Sequence, residues 1–512
     1  MTTYLLGIDV GTTGSKAILI DAGGAVQASA TTEYPMSTPQ PLWAEQDPAD
    51  WWRATVTSIR QVLAESGVKP GQVAGVGLTG QMHGLVLLDA QGEVLRPCIM
   101  WNDQRTAAQC AAITRQVGAQ KVLRLTGNPV LPGFTAPKIV WVRENEPEVY
   151  RRIATVLLPK DYARYRLTGG FFSEVSDASG TSMFDVGQRQ WSDEMLKALG
   201  VPRRWLPEVT ESPVVSARVS AQAAQETGLL EGTPVVGGGG DQAAQAIGTG
   251  IIQEGVVSVT LGTSGVVFAA SDTYRMEPEG RLHAFCHAAP GMWHLMGVML
   301  SAGGSFRWYR DALCEAERTQ AAQSGRDVYD LLTEAAGAVP AGCEGLLFLP
   351  YLTGERTPYP DPNARGVFFG LTLRHAKPHM TRAVLEGVTY GLRDSLELMR
   401  ALGLSIEQVR ASGGGARSPL WRQILADVFD TEIVTVNVTE GAAYGAALLA
   451  GVGAAVYSGV GEACAAAIQV TGQTGPGPAV PAYADYYPRY RALYPALAPQ
   501  FEAIAQVVSR HL

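Results

Sequence analysis

The chain has 512 residues, of which 46% are hydrophobic and 17% are charged, and its formal net charge is -8. This is an ordinary globular composition, and the length predicts two domains because a single hydrophobic core stops growing well below this size. The negative charge argues against nucleic acid as the main partner, since phosphate binding requires a basic surface. The six cysteines show no C-x-x-C spacing, which argues against disulfides or a zinc site and predicts reduced, buried thiols.

No export signal or membrane-spanning segment stands out in the sequence. The apolar N-terminal stretch contains Asp9 and Lys16 and alternates like a strand. The most apolar long window, around residues 247–270, carries Glu254 and falls short of a bilayer span. The sequence therefore predicts a cytoplasmic protein that does not contact a membrane.

Residues 4–33 predict three successive strands, with a Gly-Thr-Thr-Gly turn at 11–14 between the first two. Such a turn offers backbone N–H groups and the hydroxyls of Thr12 and Thr13 to a phosphate, because glycine has no Cβ to block the approach. It is not a Walker A loop, which has four residues between its glycines and a hydroxyl residue after its lysine. Asp9 ends the strand just before the turn and is a candidate for holding Mg²⁺ beside ATP, or alternatively for capping the turn.

The next elements predict an α/β alternation. Asp47 and the proline after it predict the start of a helix that reaches about residue 66, and an apolar strand follows at 73–79. This strand leads into Gly-Gln-Met-His-Gly at 80–84. Met82 offers an adaptable apolar face and His83 offers hydrogen bonds to a sugar, whereas a purely structural histidine is the alternative.

Residues 104–170 predict mainly helices, and residues 176–181 predict a polar turn. Four glycines then precede Asp241, so the backbone around this carboxylate can bend tightly and approach a substrate closely. Phosphoryl transfer to a hydroxyl needs a carboxylate that accepts the hydroxyl proton, and Asp241 is the candidate for that role. Capping the following helix is an alternative and compatible role, since the helix dipole favours an ionised carboxylate there.

The second half of the chain repeats the opening pattern, because Gly262 and Thr263 begin a Gly-Thr-Ser-Gly turn between two apolar strands within 256–270. Two such hairpins predict a duplicated ATPase core that grips one nucleotide between two lobes. We place the boundary between the halves near residue 245. Gly414 and Gly415 precede a further helix and offer a place for the base and ribose of ATP, although packing glycines explain them equally well.

A histidine pair at 283 and 287, with Cys286 between them, does not predict a metal site. The two histidines would point the same way only on a helix, and the local pattern indicates an extended chain. Further on, residues 377–401 predict a long helix.

Two long segments resemble the signatures of the FGGY family of carbohydrate kinases. Residues 133–145 fit the first signature at every position, and residues 366–371 with 379–386 fit the second. The resemblance runs from residue 4 to beyond residue 445. It implies an α/β fold of two ribonuclease-H-like domains, as in actin-like ATPases, with a cleft between them. Residues 1–245 would form the sugar-binding domain and residues 246–512 the nucleotide-binding domain.

The resemblance also implies cofactors, partners and roles for individual residues. ATP and Mg²⁺ are the expected cofactors, a small sugar is the expected substrate, and a homodimer is expected by analogy alone. The implied site residues are Asp241 and Asp9 for catalysis, Asp9 for the metal, Met82, His83, Trp101, Asp241 and Gln242 for the sugar, and Thr12, Thr13, Gly262, Thr263, Gly414 and Gly415 for ATP.

The segment at 80–84 points to the branch of this family that phosphorylates D-xylulose at its 5-hydroxyl, since glycerol kinases carry Asn-Gln-Arg-Glu there. One position departs from that branch: Gln242 stands where many of its members have Asn, as in glycerol kinases. A longer amide near the substrate hydroxyls would change sugar selectivity and leave the reaction type unchanged. The alternatives are a kinase for ribulose, glycerol or a related polyol and, from another class, a chaperone- or actin-like ATPase without a sugar.

Overall fold

The computed structural model describes residues 3–511, which form two α/β halves, each built on a seven-stranded sheet. The strands of the first half are β1 (Tyr4–Val10), β2 (Gly14–Asp21), β3 (Val26–Glu33), β4 (Glu45–Gln46), β5 (Val73–Gly80), β6 (Val86–Leu88), β7 (Cys98–Ile99), β8 (Thr155–Leu157), β9 (Phe172–Glu174), β10 (Phe184–Asp185), β11 (Gln190–Trp191), β12 (Glu208–Thr210), β13 (Val215–Arg218), β14 (Pro234–Val236) and β15 (Gly239–Gly240). Its helices are α1 (Pro48–Ser66), α2 (Ala107–Val117), α3 (Ala119–Thr126), α4 (Thr135–Asn145), α5 (Pro147–Arg152), α6 (Pro159–Thr168), α7 (Val175–Ala178), α8 (Asp193–Leu199), α9 (Ala221–Thr227) and α10 (Asp241–Gly248).

The second half continues from α10 to the C-terminal helix. Its strands are β16 (Gly255–Leu261), β17 (Gly265–Ser271), β18 (His283–Cys286), β19 (Trp293–Met299), β20 (Leu347–Leu349), β21 (Val367–Phe369), β22 (Ile406–Ser412), β23 (Glu432–Val436) and β24 (Val470–Thr474). Its helices are α11 (Gly303–Leu313), α12 (Glu315–Ser324), α13 (Val328–Gly337), α14 (Lys377–Ala401), α15 (Pro419–Phe429), α16 (Ala442–Gly453), α17 (Val460–Ala467) and α18 (Val480–His511).

Six strands have the same spatial order in the two large sheets, as expected of a duplicated core, and the seventh strand is placed differently in each. The first runs β13-β14-β5-β1-β2-β3, with β15 also paired to β5, and the second runs β24-β23-β22-β16-β17-β19-β18. In each sheet a phosphate-type turn joins an antiparallel pair, β1 with β2 and β16 with β17. The strand that precedes each turn also pairs in parallel with a strand from further along the chain, β5 or β22.

Local signals placed several elements correctly. Helix α1 begins after Asp47, whose carboxylate accepts a hydrogen bond from Ala49 N, and ends at Gly67 in the left-handed conformation. The predicted long helix at 377–401 is α14, and His283–Cys286 is a strand, as expected from its extended pattern. All six cysteines are buried free thiols.

The predicted turn at 176–181 is wrong, because α7 and a short 3₁₀ turn at 179–181 occupy this segment. The Glu174 carboxylate accepts hydrogen bonds from Ser176 N and Asp177 N and so caps the helix from outside the predicted segment. The N-cap interpretation of Asp241 is also off by one residue, since α10 begins at Asp241 after Gly240.

Helix α16 comes from the second half of the chain and packs on the first sheet. This contact depends on glycines, because a Cβ at Gly7 would lie 1.9 Å from Ala443 O and one at Gly77 would lie 2.0 Å from Ala446 O. A Cβ at Gly445 would lie 1.8 Å from Ala244 O on α10. The backbones of the two halves are therefore in direct contact at this point. Residue 245, the boundary expected from the sequence, lies inside α10.

Among residues 3–511, no helix combines the length and the apolar character that crossing a bilayer requires.

Candidate active site

Asp9 lies at the carboxyl end of β1 and Asp241 directly follows β15, and these two strands flank β5 in the first sheet. Asp9 on β1 pairs with Thr79 on β5, and Thr79 pairs with Gly239 on β15, two residues before Asp241. Ligands of open α/β sheets bind outside this edge, where the strands end and the following loops begin. The strand register thus brings together two residues that are 232 positions apart in the chain.

Both carboxyl groups have raised pKa values. Burial, together with the nearby charge of Asp9, raises the pKa of Asp241 to about 7. Burial raises the pKa of Asp9 to about 6, and the Lys16 ammonium opposes this shift. Two acidic groups with perturbed pKa values at a sheet edge are typical of a catalytic site.

The side chain of Asp9 does not cap its turn. Asp21 at the end of β2 shows what such a cap looks like, since its Oδ1 accepts hydrogen bonds from Gly23 N at 2.9 Å and Ala25 N at 3.0 Å. In the described structure, Asp9 Oδ1 is inaccessible to solvent and has no hydrogen-bond partner. A buried carboxylate oxygen without a donor suits a cation.

Met82 lies beside the loop that carries Asp241, and His83 is the next residue in the chain. A Cβ at Gly240 would lie 2.9 Å from Met82 Sδ, so the methionine lies directly against the residue before Asp241. His83 has a φ of 70° and its Nδ1 lies 2.7 Å from Gly180 O. A carbonyl can only accept, so Nδ1 carries the proton and Nε2 is the free acceptor. Burial lowers the pKa of His83 to about 3, which keeps the imidazole neutral.

Residues of the first signature segment hold His83 in place. The Phe134 ring stacks on the imidazole with centroids 4.4 Å apart. The buried Lys138 ammonium donates hydrogen bonds to His83 O at 2.9 Å and to Gly133 O at 2.7 Å, and Thr135 Oγ1 donates to His83 O at 3.1 Å. The backbone at His83 is therefore constrained in its left-handed conformation by α4 and the residues that precede it.

Trp101 and the first glycine-rich turn are linked to each other. The indole Nε1 of Trp101 donates to Thr12 Oγ1 at 3.0 Å, and the indole is 41% exposed, which leaves it accessible to a ligand. Thr13 is exposed at the tip of the turn. Gln46 Nε2 donates to Thr12 O at 2.7 Å, and Gln46 Oε1 accepts from Gln81 Nε2 at 3.1 Å. These amides connect the turn to the residue before Met82.

A cavity of about 640 Å³ in the second half collects the other predicted nucleotide residues. Gly262, Thr263, Gly414 and Gly415 all line it, whereas the first turn does not. A side chain at Gly414 would meet no atom within 4 Å, so this backbone faces open space. Phe306, Tyr329 and Trp421 supply aromatic walls, as expected of a pocket that holds a purine base.

Several of these residues were missed by sequence reasoning. Gln46 and Lys138 contact residues that are distant in the chain, and such contacts produce no periodic pattern in the sequence. Gly303 begins α11 and donates its N–H to Gly262 O at 2.8 Å, which ties the second turn to the cavity. Two consecutive glycines at 303 and 304 were the available signal.

Gln242 lies next to the candidate base, and its N–H donates to Asp241 Oδ1 at 2.7 Å. Gln242 as a whole is half-buried. In the described part of the chain, no group of three or more His, Cys, Asp or Glu side chains forms a metal site. Mg²⁺ fits the remaining arrangement, because it binds through one or two carboxylates together with the phosphates of a substrate.

The two large sheets share a six-strand core, one ends in a pair of carboxyl groups, and an aromatic cavity lies beside the other. These features define a two-domain α/β protein of the nucleotide-dependent phosphotransferase class. The chain belongs to the FGGY family of carbohydrate kinases, since residues 4–248 match the N-terminal domain of that family and residues 257–454 match its C-terminal domain. It is therefore a phosphotransferase that uses ATP as a substrate.

Individual relatives cover nearly the whole chain. Xylulose kinase of Escherichia coli (strain K12) is 42% identical over 96% of this chain and 99% of its own length. Gluconokinase of Bacillus subtilis (strain 168) is 33% identical over 88% of this chain and 87% of its own. The crystal structure of xylulose kinase from Rhodospirillum rubrum has a TM-score of 0.90 at 32% identity and covers 98% of this chain and 100% of its own.

Proposed function

We propose that the protein transfers the γ-phosphoryl group of ATP to the 5-hydroxyl of D-xylulose. The observation that carries this proposal is the raised pKa of Asp241 near the charge of Asp9, with Met82 packed against Gly240, the residue before Asp241. The identity of 42% to a xylulose kinase over 96% of the chain supports the choice of sugar. The Gly80–Gly84 segment favours the same sugar.

In the proposed reaction, Asp241 accepts the proton of the 5-hydroxyl as the oxygen attacks the γ-phosphorus. A new O–P bond forms, the bond between the γ-phosphorus and the bridging oxygen breaks, and ADP leaves. His83 Nε2 accepts a hydrogen bond from another sugar hydroxyl and so orients the substrate. Met82 and Trp101 supply apolar surface for the carbon chain of the sugar.

Asp9 is the residue that would hold Mg²⁺. When bound, the ion would neutralise the charge that develops on the phosphate oxygens. Thr12 and Thr13 would offer their turn to the terminal phosphates, while Gly262, Thr263, Gly414 and Gly415 would surround the rest of the nucleotide in the second half. We place the division between a sugar-binding and a nucleotide-binding half after α10. Dimer formation and a cytoplasmic location stay predictions from the sequence.

ADP release by the purified protein tests the proposal. Mg-ATP is supplied with D-xylulose, D-ribulose, L-ribulose, glycerol or gluconate in separate samples, and a further sample contains no sugar. We expect strong turnover with D-xylulose alone. Turnover with a different acceptor would contradict the assignment of D-xylulose as the substrate but would agree with a sugar kinase. Gln242 would then be the first residue to test for its effect on sugar selectivity. Equal ATP hydrolysis in all samples would contradict a sugar kinase and favour the actin-like alternative.

The pH dependence of the reaction follows from the pKa of Asp241. A protonated carboxyl cannot accept the hydroxyl proton, so kcat/KM for the sugar falls as the pH drops through the pKa of the base, which is about 7. Below that pH we expect a decrease of about tenfold per unit. The measurement is kcat/KM at saturating Mg-ATP across the acid and neutral range. A profile that stays flat down to the ordinary pKa of aspartate would contradict the assignment.

A further inference from the structure

A buried segment behind the site, residues 174–181, contacts both the loop that carries the candidate base and the candidate sugar ligand. Glu174, Ser176 and Asp177 are fully buried in it. The sequence marked this segment as a polar turn, and none of its side chains takes part in the reaction proposed above. Its contacts run in two directions.

The first contact reaches the backbone next to Asp241. Gly240 N donates to Ser176 Oγ at 3.0 Å, and Ser176 Oγ donates to Glu174 Oε1 at 2.8 Å. The hydroxyl thus uses its one proton toward the carboxylate and a lone pair toward Gly240. Because the glycines before Asp241 place few limits on their own backbone, the Ser176 hydrogen bond adds to the pairing of β15 with β5 in orienting the start of α10.

The second contact reaches the imidazole of His83. Gly180 O accepts the Nδ1 proton of His83 at 2.7 Å and thereby determines which ring nitrogen faces the substrate. A Cβ at Gly180 would lie 2.4 Å from His83 Nδ1. Any side chain at this position would therefore collide with the imidazole.

Ion pairs hold the segment itself in place. The buried Lys160 ammonium lies 2.7 Å from Asp161 Oδ1, 3.2 Å from Asp177 Oδ2 and 3.6 Å from Glu174 Oε1. Lys160 lies on α6, so these contacts tie the segment to that helix, and removing the ammonium would leave buried carboxyl groups without their partner.

We propose that residues 174–181 form a positioning segment that sets the placement of Asp241 relative to His83, with Ser176 and Gly180 as its two contact points. The proposal rests on the proposed function of Asp241 and His83. Ser176 acts on the base through Gly240, and Gly180 acts on sugar recognition through His83. We therefore expect loss of the Ser176 contact to lower kcat and loss of the Gly180 contact to raise the KM of the sugar.

Ser176→Ala tests the first contact. We expect a loss of tenfold or more in kcat, with the KM values of sugar and ATP within threefold of wild type. Ser212→Ala is the matched control, because Ser212 Oγ also donates to Glu174, at 3.0 Å, but does not contact Gly240. We expect its kcat to stay within threefold. An equal loss of kcat in both variants would show a general disturbance of the contacts of Glu174 and would overturn the proposal. A Ser176→Ala enzyme with the kcat of wild type would also overturn it.

Gly180→Ala tests the second contact. The added methyl displaces the imidazole, so we expect the KM of the sugar to rise tenfold or more while the KM of ATP and the melting temperature change little. Gly71→Ala is the control, since a Cβ at Gly71 would meet no atom within 4 Å. A sugar KM that Gly180→Ala leaves unchanged would overturn this half of the proposal.

These tests are run with whichever acceptor the wild-type enzyme phosphorylates. Failure of D-xylulose as a substrate rejects the proposed function without deciding the role of the segment. Conversely, a normal Ser176→Ala enzyme that turns over D-xylulose rejects the positioning role and leaves the proposed function intact.

Discussion

Asp241→Asn is expected to lower kcat by about 10²- to 10⁴-fold, the usual contribution of a general base. The amide has nearly the same shape as the carboxylate, but it does not take up the hydroxyl proton. The side-chain oxygen of the introduced amide would still accept the N–H of Gln242, so the start of α10 stays in place. The KM values of sugar and ATP should therefore remain close to wild type. Steady-state kinetics with both substrates varied, together with ADP binding by calorimetry, provide the measurement.

Asp394→Asn is the matched control for this substitution. Burial raises the pKa of Asp394 to about 7 as well, yet this carboxyl group lies on α14, where it accepts a hydrogen bond from Tyr487 Oη at 2.6 Å. A raised pKa alone does not make a carboxyl group a catalytic base. We therefore expect the kcat of the Asp394→Asn enzyme to change less than threefold. If Asp241→Asn kept a kcat within about tenfold of wild type, Asp241 would not be the base.

Asp9→Asn is expected to reduce kcat by about 10²-fold or more, because it removes the carboxylate charge that would hold the metal beside the phosphates. A second consequence is independent of the metal. The charge of Asp9 raises the pKa of Asp241, so its removal lowers that pKa, and the acid limb of the kcat/KM profile moves to lower pH. The two measurements are the Mg²⁺ concentration at half-maximal rate, which should rise, and the pH profile of the residual activity.

Asp21→Asn serves as the comparison for Asp9, since Asp21 also ends a strand and does cap its turn. Its activity should stay within twofold of wild type, with some loss of thermal stability from the weaker cap. If the Asp9→Asn enzyme kept its activity within twofold of wild type, as expected for Asp21→Asn, Asp9 would have a structural role and not a catalytic one.

Much of the fold was predictable because its signals are local. The strand-turn-strand repeats at 11–14 and 262–265, the cap at Asp47 and the helix at 377–401 depend on residues that are close in sequence, and the structure contains all of them. The turn predicted at 176–181 was wrong because the capping carboxylate of Glu174 precedes the segment.

The site was predictable as a set of residues but not as an arrangement. Sequence motifs singled out Asp9, Met82, His83 and Asp241, and the resemblance to a kinase family assigned them roles, which stay predictions. Their proximity follows from strand order, since β15 joins β5 and β5 joins β1, and no local pattern encodes which strands pair.

The chemistry available to this protein could be predicted before its fold was known, because two glycine-rich turns, two acidic groups at strand ends and the family signatures are local features of the sequence. The packed fold was needed to show which groups are buried, which ring nitrogen of His83 is free, and that Ser176 and Gly180 contact Gly240 and His83. The physical reason is that pKa values shift when packing removes a group from water. The hydrogen bonds of the site likewise join residues that are distant in the chain. Such contacts exist only after the sheets and helices have packed.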